Sequence, residues 1–438
     1  MSRRETALKY FLNKNDALLL RERSGIELYR KGNAEIVLST ADGKSLPEEI
    51  TVEAVQTGHE FKFGANIFML DEFESEDKNC IYRKKFPELF NLATLPFYWC
   101  DIEPEQGKLR FDADSPRRYR RPAIDLCMDY CFAHGIEPKC HCLNYDSEIP
   151  SWVVDKSVEE HKRLLAKRFS EIADRYAHVI PDFEVTNETL RESNSKFFYE
   201  DDFLPWSFRT AERYFPNNRL IINDYNIWFP ETYNNRLAYY MQIERLLKEG
   251  CRIDSIGLQL HSFFPQSDEA KMAESRYNPE NLYRLLDAYG KFGLPEQITE
   301  MTVPAYSDTA EDEEIQAELL RGIYTTCFSH KAMEAIIYWN LVDGYAHETE
   351  PGDFSKGENL YYGGLLRFDM SEKPAYRALY DLINKEWKTE TAVPVRNGRA
   401  CFRGFYGDYM LKIHTGEKVV EAGIKLSKQA NSRFPVVI

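Results

Sequence analysis

The sequence lacks a long apolar run, an internal repeat and a surplus of positive charge, and these absences exclude several classes of protein. No apolar stretch reaches the roughly 18 residues that a membrane-spanning helix needs. The 438 residues contain 71 Asp and Glu but only 56 Lys and Arg, for a formal net charge of −15. Because nucleic-acid binding depends on clustered cations that neutralise phosphates, we expect neither a nucleic acid nor a membrane as a partner.

A signal-like segment is also missing from the start of the sequence. Met1-Ser2-Arg3-Arg4-Glu5 leads into no apolar stretch that ends in small residues. We therefore expect a cytoplasmic protein, or a secreted one if a leader has been removed.

The nine cysteines form no obvious disulfide or metal pattern. They are odd in number and spread along the chain, which predicts free thiols in a reducing compartment. Cys140-His141-Cys142, with Cys127 and Cys131, would be the candidate zinc ligands. Adjacent residues of a strand point to opposite faces, however, so His141 opposes both neighbouring cysteines. We expect buried thiols, no metal and no cofactor.

The central part of the chain alternates short apolar runs with longer stretches of helical periodicity. The helix predicted over residues 159–177 has Ser157 as a plausible N-cap. The predicted strands cover residues 61–68, 93–99, 137–145, 183–188, 220–226, 255–261, 297–301 and 335–342. Eight strand–helix units predict an α/β protein built as a (β/α)8 barrel, the TIM barrel.

The two ends of the chain have a different pattern. Residues 34–38 and 50–54 alternate apolar and polar side chains around the turn-forming Asp42-Gly43-Lys44, which predicts a hairpin, and residues 400–405 and 409–413 alternate similarly. Isolated hairpins are marginally stable, so we predict that both ends pack into one small accessory β sandwich. Residues 1–60 would supply a helix and strands of this domain, 61–387 the barrel, and 388–438 the remaining strands.

Polar side chains end several of the predicted strands. Reactive residues of such barrels project from the carboxyl ends of the strands, so these side chains should converge at one mouth. They are His141, Asn187, Glu188, Tyr225, Gln259, His261, Glu300 and Trp339. Two glutamates without a glycine-rich phosphate loop indicate a reaction that needs a proton donor and a second carboxylate, as glycosidic-bond cleavage does. Asn187 could bind a sugar hydroxyl and Trp339 could stack on a sugar ring.

These residues and their order resemble glycoside hydrolase family 10, the β-1,4-xylanase family. Phe183-Glu184-Val185-Thr186-Asn187-Glu188 is similar to its acid/base strand, and Ile298-Thr299-Glu300 is similar to its nucleophile strand. Further matches are Pro150-Ser151-Trp152, Asn223-Asp224-Tyr225-Asn226, Gly257-Leu258-Gln259-Leu260-His261 and Lys373-Pro374-Ala375-Tyr376. The resemblance covers the whole barrel.

The resemblance implies a retaining β-glycosidase that acts on β-1,4-xylan-type glycans or xylo-oligosaccharides. Glu300 would be the nucleophile and Glu188 the acid and then the base. His141, Asn187, Tyr225, Gln259, His261 and Trp339 would be the substrate-binding residues. We also expect His261 to bond Glu300 and to keep it ionised. The alternative is a non-catalytic glycan-binding protein derived from such an enzyme, and the intact glutamates favour the enzyme.

The sequence departs from the family pattern where the glycone, the sugar on the non-reducing side of the cleaved bond, should bind. Before Trp99 the family usually has Glu-Asn-x-Met-Lys, whose Asn and Lys hold these sugars, whereas residues 94–98 here read Thr-Leu-Pro-Phe-Tyr. Tyr145 replaces a usual Trp, and His347 aligns loosely with another. We therefore expect weak action on unsubstituted polymeric xylan and a preference for short, decorated or aryl glycosides that rest on Phe97 or Tyr98.

Overall fold

Eight parallel strands close into a barrel in the computed structural model, which describes residues 2–228, 237–416 and 418–438. Two strands, β1 (Lys31–Ser39) and β2 (Thr51–His59), precede it. The barrel strands are β3 (Lys62–Asn66), β4 (Leu92–Pro96), β5 (Glu137–His141), β6 (Asp182–Asn187), β7 (Arg219–Asp224), β8 (Ser255–His261), β9 (Glu296–Thr302) and β10 (Met333–Tyr338). Pairing of β10 with β3 closes the barrel. The predicted (β/α)8 barrel is confirmed, although β5 and β10 end four residues earlier than predicted.

Helices cover the outside of the barrel and follow the expected alternation with the strands. They are α1 (Arg3–Ala7), α2 (Lys9–Leu12), α3 (Asp16–Tyr29), α4 (Glu76–Leu89), α5 (Trp99–Ile102), α6 (Ile124–His134), α7 (Ser151–Val154), α8 (Val158–Tyr176), α9 (Phe203–Tyr214), α10 (Ala238–Lys248), α11 (Glu269–Arg276), α12 (Pro279–Tyr289), α13 (Ala310–Ser329) and α14 (Pro374–Asp381). Across the described residues, no helix combines the length and the apolar character needed to cross a lipid bilayer.

Helix α8 shows how the local sequence produces these elements. The Ser157 hydroxyl accepts a hydrogen bond from the Glu160 backbone N–H at 3.2 Å, which satisfies one of the free donors at the helix start. Leu164, Leu165 and Phe169 lie on one face and are buried against the barrel. The predicted N-cap and helix are therefore both present.

The chain ends form two sheets that enclose a second hydrophobic core. After the barrel come β11 (Glu390–Pro394), β12 (Arg399–Phe405), β13 (Gly407–His414), β14 (Val419–Leu426) and β15 (Arg433–Val437). One sheet has the order β12-β1-β15 and the other β11-β2-β13-β14. Ile36, Val52, Phe402, Leu411 and Ile413 are among the side chains buried between them. Both ends of the chain thus build one β sandwich, as predicted.

The two predicted terminal hairpins do not form. Strands β1 and β2 lie in different sheets, and so do β12 and β13. Instead β1 pairs with β12, placing Ile36 opposite Ala400, and β2 pairs with β13, placing Ala54 opposite Leu411. Each run buries only one face, and pairing between the two chain ends brings all of these apolar faces around one core.

The helices before β1 pack on the barrel. Arg3 on α1 donates from Nε to Glu269 Oε2 on α11 at 2.8 Å and from Nη1 to Asp312 Oδ1 on α13 at 2.7 Å. Helix α3 crosses α13 so closely that a Cβ atom at Gly25 would lie 2.2 Å from the Ser329 carbonyl oxygen. A glycine is therefore required at this crossing.

The sandwich core gives a test with a matched control on one strand. Leu411 is fully buried, whereas the neighbouring Met410 is 37% exposed on the opposite face of β13. We expect Leu411→Ala to lower the free energy of unfolding by about 2 to 5 kcal/mol, because it leaves a cavity. Met410→Ala should change it by less than about 0.5 kcal/mol. Urea denaturation measures both, and equal effects would contradict a shared core at Leu411.

Candidate active site

All eight site residues predicted from the sequence line a single cleft at the carboxyl end of the barrel. The cleft has a volume of about 780 Å³. It is lined by His141 from β5, Asn187 and Glu188 at the end of β6, Tyr225 after β7, Gln259 and His261 on β8, Glu300 on β9 and Trp339 after β10. Strands that are far apart in sequence therefore bring two carboxylates, two amides, two imidazoles and two aromatic rings together.

Glu188 lies directly after β6 in an unusual backbone conformation. Its φ angle is +50°, in the left-handed region that residues other than glycine rarely adopt. Its backbone N–H donates to the Asn223 carbonyl oxygen at 3.1 Å, which holds this turn in place. Oε2 accepts hydrogen bonds from the Tyr145 hydroxyl at 2.6 Å and from Arg191 Nη1 at 2.9 Å. Such conformations cost free energy and are concentrated at functional sites.

Glu300 is the more deeply buried of the two glutamates. Its Oε1 accepts a hydrogen bond from Asn223 Nδ2 at 3.0 Å, and its Oε2 lies 3.0 Å from His261 Nε2. Burial raises the pKa of Glu300 well above its ordinary value. The positive charge of His141 opposes this, while the negative charge of Glu188 adds to it.

A chain of amide groups connects the two carboxylates. Asn187 Oδ1 accepts hydrogen bonds from Asn223 Nδ2 at 2.8 Å and from Gln259 Nε2 at 3.0 Å. Gln259 Nε2 also reaches Glu188 Oε1 at 3.4 Å, and Asn223 Nδ2 reaches Glu300. These bonds hold the side chains of four strands in fixed positions relative to one another.

His261 is neutral, because burial lowers its pKa to about 4. Its Nδ1 lies 3.1 Å from the Thr302 hydroxyl. Since a neutral imidazole has one donor and one acceptor nitrogen, the Thr302 hydroxyl donates to Nδ1 and Nε2 donates to Glu300. The expected hydrogen bond to Glu300 is present. His261 nevertheless carries no charge that would keep Glu300 ionised.

The positive charge that acts on Glu300 comes from His141. Burial lowers the pKa of His141, but the charge and hydrogen bond of Glu184 outweigh burial and raise it overall. Lys139 Nζ lies 2.6 Å from the other oxygen of Glu184, and all three side chains are buried. Sequence reasoning missed Lys139 and Glu184. Charged residues at alternate positions of otherwise apolar strands were the signal for them, because such positions face the barrel interior.

Two aromatic residues of the site differ in exposure. Trp339 is buried, and its ring packs edge-on against Phe68 and His141, each with ring centroids 5.3 Å apart. Tyr225 is 42% exposed at the rim of the cleft. Trp339 therefore forms part of the cleft floor, whereas Tyr225 borders the opening.

The expectation that Phe97 offers a surface to the substrate is wrong. Leu95 and Phe97 are fully buried, and the Phe97 ring packs on Tyr176 of α8 at 5.4 Å. Phe97 therefore lies in the layer between barrel and helices. Only Tyr98 of this segment lines the cleft, and its hydroxyl lies 3.1 Å from His141 Nε2.

The cysteines considered as zinc ligands, Cys127, Cys131, Cys140 and Cys142, are free and buried. Burial raises the pKa of the Cys140 and Cys142 thiols, which disfavours thiolate ligands. Within the described residues, the metal-type side chains that come close together are Cys100, Asp101 and Glu148. Burial also raises the pKa of Cys100.

A (β/α)8 barrel with paired glutamates at the carboxyl ends of β6 and β9 is typical of barrel glycoside hydrolases. The sequence model described as "Glycosyl hydrolase family 10" matches residues 67–382 of the 438. The chain therefore belongs to glycosyl hydrolase family 10.

Several known proteins are similar to this chain. "Endo-1,4-beta-xylanase 2" of Arabidopsis thaliana is 23% identical over 98% of this chain and 37% of its own length. "Anti-sigma-I factor RsgI6" of Acetivibrio thermocellus is 24% identical over 88% of this chain and 45% of its own length. The chain thus spans less than half of these two relatives. The crystal structure of xylanase 10B from Thermotoga petrophila in complex with xylobiose covers 75% of this chain and 95% of its own, with a TM-score of 0.58 and 22% identity, which shows the shared fold.

The neutral state of His261 predicts a specific pH dependence of stability. Its ordinary pKa is 6.5, so between pH 6.5 and about 4 the unfolded chain binds a proton that the folded chain does not. Falling pH therefore lowers the free energy of unfolding, by about 3 kcal/mol in full. We expect His261→Gln, which cannot titrate, to lose correspondingly less stability between pH 7 and pH 4 in urea denaturation. Thr302→Ser, which keeps the hydroxyl, should follow the native curve. Parallel curves for His261→Gln and native protein would contradict the assignment.

Proposed function

We propose that the chain is a retaining β-glycosidase that hydrolyses β-1,4-xylan-type glycans or xylo-oligosaccharides by double displacement. The observation that carries the proposal is the amide-linked pair Glu188 and Glu300 in one open cleft of a family 10 barrel. Family relatives named as endo-1,4-β-xylanases support xylan as the substrate class.

In the first step Glu300 attacks the anomeric carbon of the sugar and forms a glycosyl-enzyme ester. The bond from that carbon to the leaving oxygen breaks, and Glu188 gives its proton to this oxygen. Ionised Glu300 is the attacking form, and the hydrogen bonds from Asn223 and His261 stabilise its negative charge.

In the second step Glu188 takes a proton from water, which attacks the same carbon and releases Glu300. Tyr145 and Arg191 both bond to Oε2 of Glu188, whereas Oε1 has only the long 3.4 Å contact from Gln259 Nε2, so Oε1 is the oxygen that can face the leaving group or the water. The 42% exposure of Tyr225 at the rim suits contact with a sugar that enters from solvent.

Asn187 and Trp339 would hold the sugar that reacts. Both hydrogen bonds of Asn187 to Asn223 and Gln259 use its Oδ1, so its Nδ2 group can donate to a sugar hydroxyl. The ring of Trp339 offers an apolar plane for the CH-rich face of the sugar. His141, Gln259 and His261 would complete the contacts from the cleft floor.

The stereochemical course of the reaction tests the proposed roles. Because two inversions restore the original configuration, ¹H NMR should show the β anomer as the first-formed product. Glu300→Ala should lower kcat on β-1,4-xylo-oligosaccharides by about 10⁴-fold or more, and Glu171→Ala on the surface of α8 should not. A first-formed α anomer would contradict the retaining mechanism. Binding of xylo-oligosaccharides without turnover by native protein would indicate the alternative, a non-catalytic glycan-binding protein.

The acid role of Glu188 predicts a dependence on the leaving group. Glu188→Ala should lower the rate on unactivated oligosaccharides by roughly 10²- to 10⁴-fold, because proton transfer is lost. On aryl glycosides with very acidic phenols, which leave without a proton, the first step should be nearly unchanged. Pre-steady-state release of the phenol measures that step. Equal losses on both types of substrate would remove Glu188 from the acid role.

A further inference from the structure

A buried arginine that pairs with no carboxylate lines one end of the cleft. Arg120 is only 3% exposed, and no described carboxylate oxygen lies within 4 Å of its guanidinium. Its Nη1 donates to the Tyr345 carbonyl oxygen and its Nη2 to Asn340 Oδ1 at 3.1 Å. Its Nε–H has no hydrogen-bond partner among the described residues. Burial lowers the pKa of Arg120 and the negative charge of Glu358 only partly opposes this, so an anionic partner at the cleft would stabilise the guanidinium further.

Two other buried arginines of the barrel donate hydrogen bonds to carboxylate or carbonyl oxygens of the protein. Arg121 donates from Nε to Asp101 Oδ2 at 2.7 Å. Arg168 donates to the carbonyl oxygens of Phe97, Leu143 and Cys142. Arg120 differs from Arg121 because no described carboxylate pairs with it, and from Arg168 because it lines the cleft. Protein acceptors take one N–H of Nη1 and one of Nη2, and the buried Nε–H has no partner among the described residues.

Arg120 lies near the end of the cleft where the resemblance at residues 94–98 places the glycone. The Arg121 guanidinium lies 4.2 Å from the centroid of the Tyr98 ring, and that of Arg120 lies 5.9 Å from the centroid of the Phe68 ring. Tyr98 occupies the position where the family pattern has the Lys that holds sugars on the non-reducing side. A cation from a different loop therefore lies near the place of the missing Lys.

The backbone at Arg120 supports a specific role for this side chain. Its φ angle is +59°, a left-handed conformation that a residue with a Cβ adopts at a cost. Arg120 and the next residue, Arg121, both line the cleft.

Both signs of charge face this end of the cleft. Glu148, Glu358 and His347 line it together with the two arginines. Glu358 accepts a hydrogen bond from Asn340 Nδ2 at 2.8 Å, and Asp101 is shared between Arg118 and Arg121. Neither Glu148 nor Glu358 forms an ion pair with Arg120, although the negative charge of Glu358 acts on it and the two are linked through Asn340.

We propose that the glycone end of this cleft binds the carboxylate of a uronic acid, so that the substrate class is acidic rather than neutral xylo-oligosaccharides. The planar guanidinium of Arg120 matches a carboxylate, and such charge-assisted hydrogen bonds are about twice as strong as neutral ones. Tyr98 and Phe68 supply apolar rings beside the sugar that carries the acid. This inference rests on the proposed glycosidase function and names its substrate.

The test compares two substrates that differ only in charge. One is a xylo-oligosaccharide that carries a glucuronosyl group on the glycone side, and the other is the same compound with the carboxyl group reduced to a primary alcohol. We expect kcat/KM of the native chain to be at least about tenfold higher on the acidic compound. Versions with the uronosyl group as a branch and as the terminal sugar show which of the two presents the carboxylate.

Variants then assign the preference to Arg120. In Arg120→Gln the ratio of the two kcat/KM values should fall to near one, and Arg120→Lys should keep part of it. Arg117→Gln is the matched control, because Arg117 lies in the same loop, pairs with Glu72 and does not line the cleft. It should keep the native ratio. Thermal unfolding shows whether each variant folds. If the Arg120 variants do not fold, the comparison of the two substrates on the native chain still decides whether the acidic compound is preferred.

The outcomes separate this inference from the proposed function. Turnover of both compounds at equal kcat/KM would overturn acid recognition and leave the glycosidase standing. A native ratio that Arg120→Gln retains would overturn the assignment to Arg120. If neither compound is turned over, the glycosidase proposal fails. Calorimetric Kd values for the same pair then decide the inference: at least tenfold tighter binding of the acid supports it, and equal or absent binding overturns it.

Discussion

The side-chain amide of Asn223 is the contact on which the arrangement of the cleft depends. It donates to both Asn187 and Glu300 and accepts from the Thr299 hydroxyl, so it joins strands β6, β7 and β9 at the height of the reacting groups. The adjacent β8 makes room for it only through Gly257, where a Cβ atom would lie 2.6 Å from Asn223 Oδ1. Any larger residue at position 257 would displace this amide, and the two carboxylates would lose their common support.

Charged side chains inside the barrel also stabilise one another. Lys139, Glu184 and His141 form a buried series of alternating charge beneath Glu300, and each member is acceptable there because its neighbour has the opposite sign. Glu184 thereby raises the pKa of His141, which burial alone would lower. Burial favours the neutral form of Glu300. Its ability to act as a carboxylate therefore depends on the charges of His141, Glu184 and Lys139, and Lys139 lies two residues before His141 on β5.

The parts of the molecule that could be predicted from the sequence are those governed by local pattern. Apolar runs that end in polar residues indicated the barrel strands and brought Glu188, Glu300 and their neighbours to one mouth. The terminal hairpins were wrong, because alternation shows which face of a strand is buried but not which strand lies beside it. Phe97 was misplaced for a related reason, since its family position does not reveal that the ring packs under α8. Arg120 escaped notice because it lies in a loop without periodicity, where only the three-dimensional arrangement shows that its charge is unpaired.

The β sandwich built from both chain ends has a consequence for how the molecule is made. During synthesis β1 and β2 emerge early, but their partners β12 and β13 follow more than 300 residues later. Until then both strands have unpaired edges, which are prone to aggregation. The barrel, whose neighbouring strands are mostly consecutive in sequence, can assemble first while the early strands wait. The sandwich is then completed late, by pairing of strands that are far apart in sequence. This step is slow because bringing distant segments together costs loop-closure entropy.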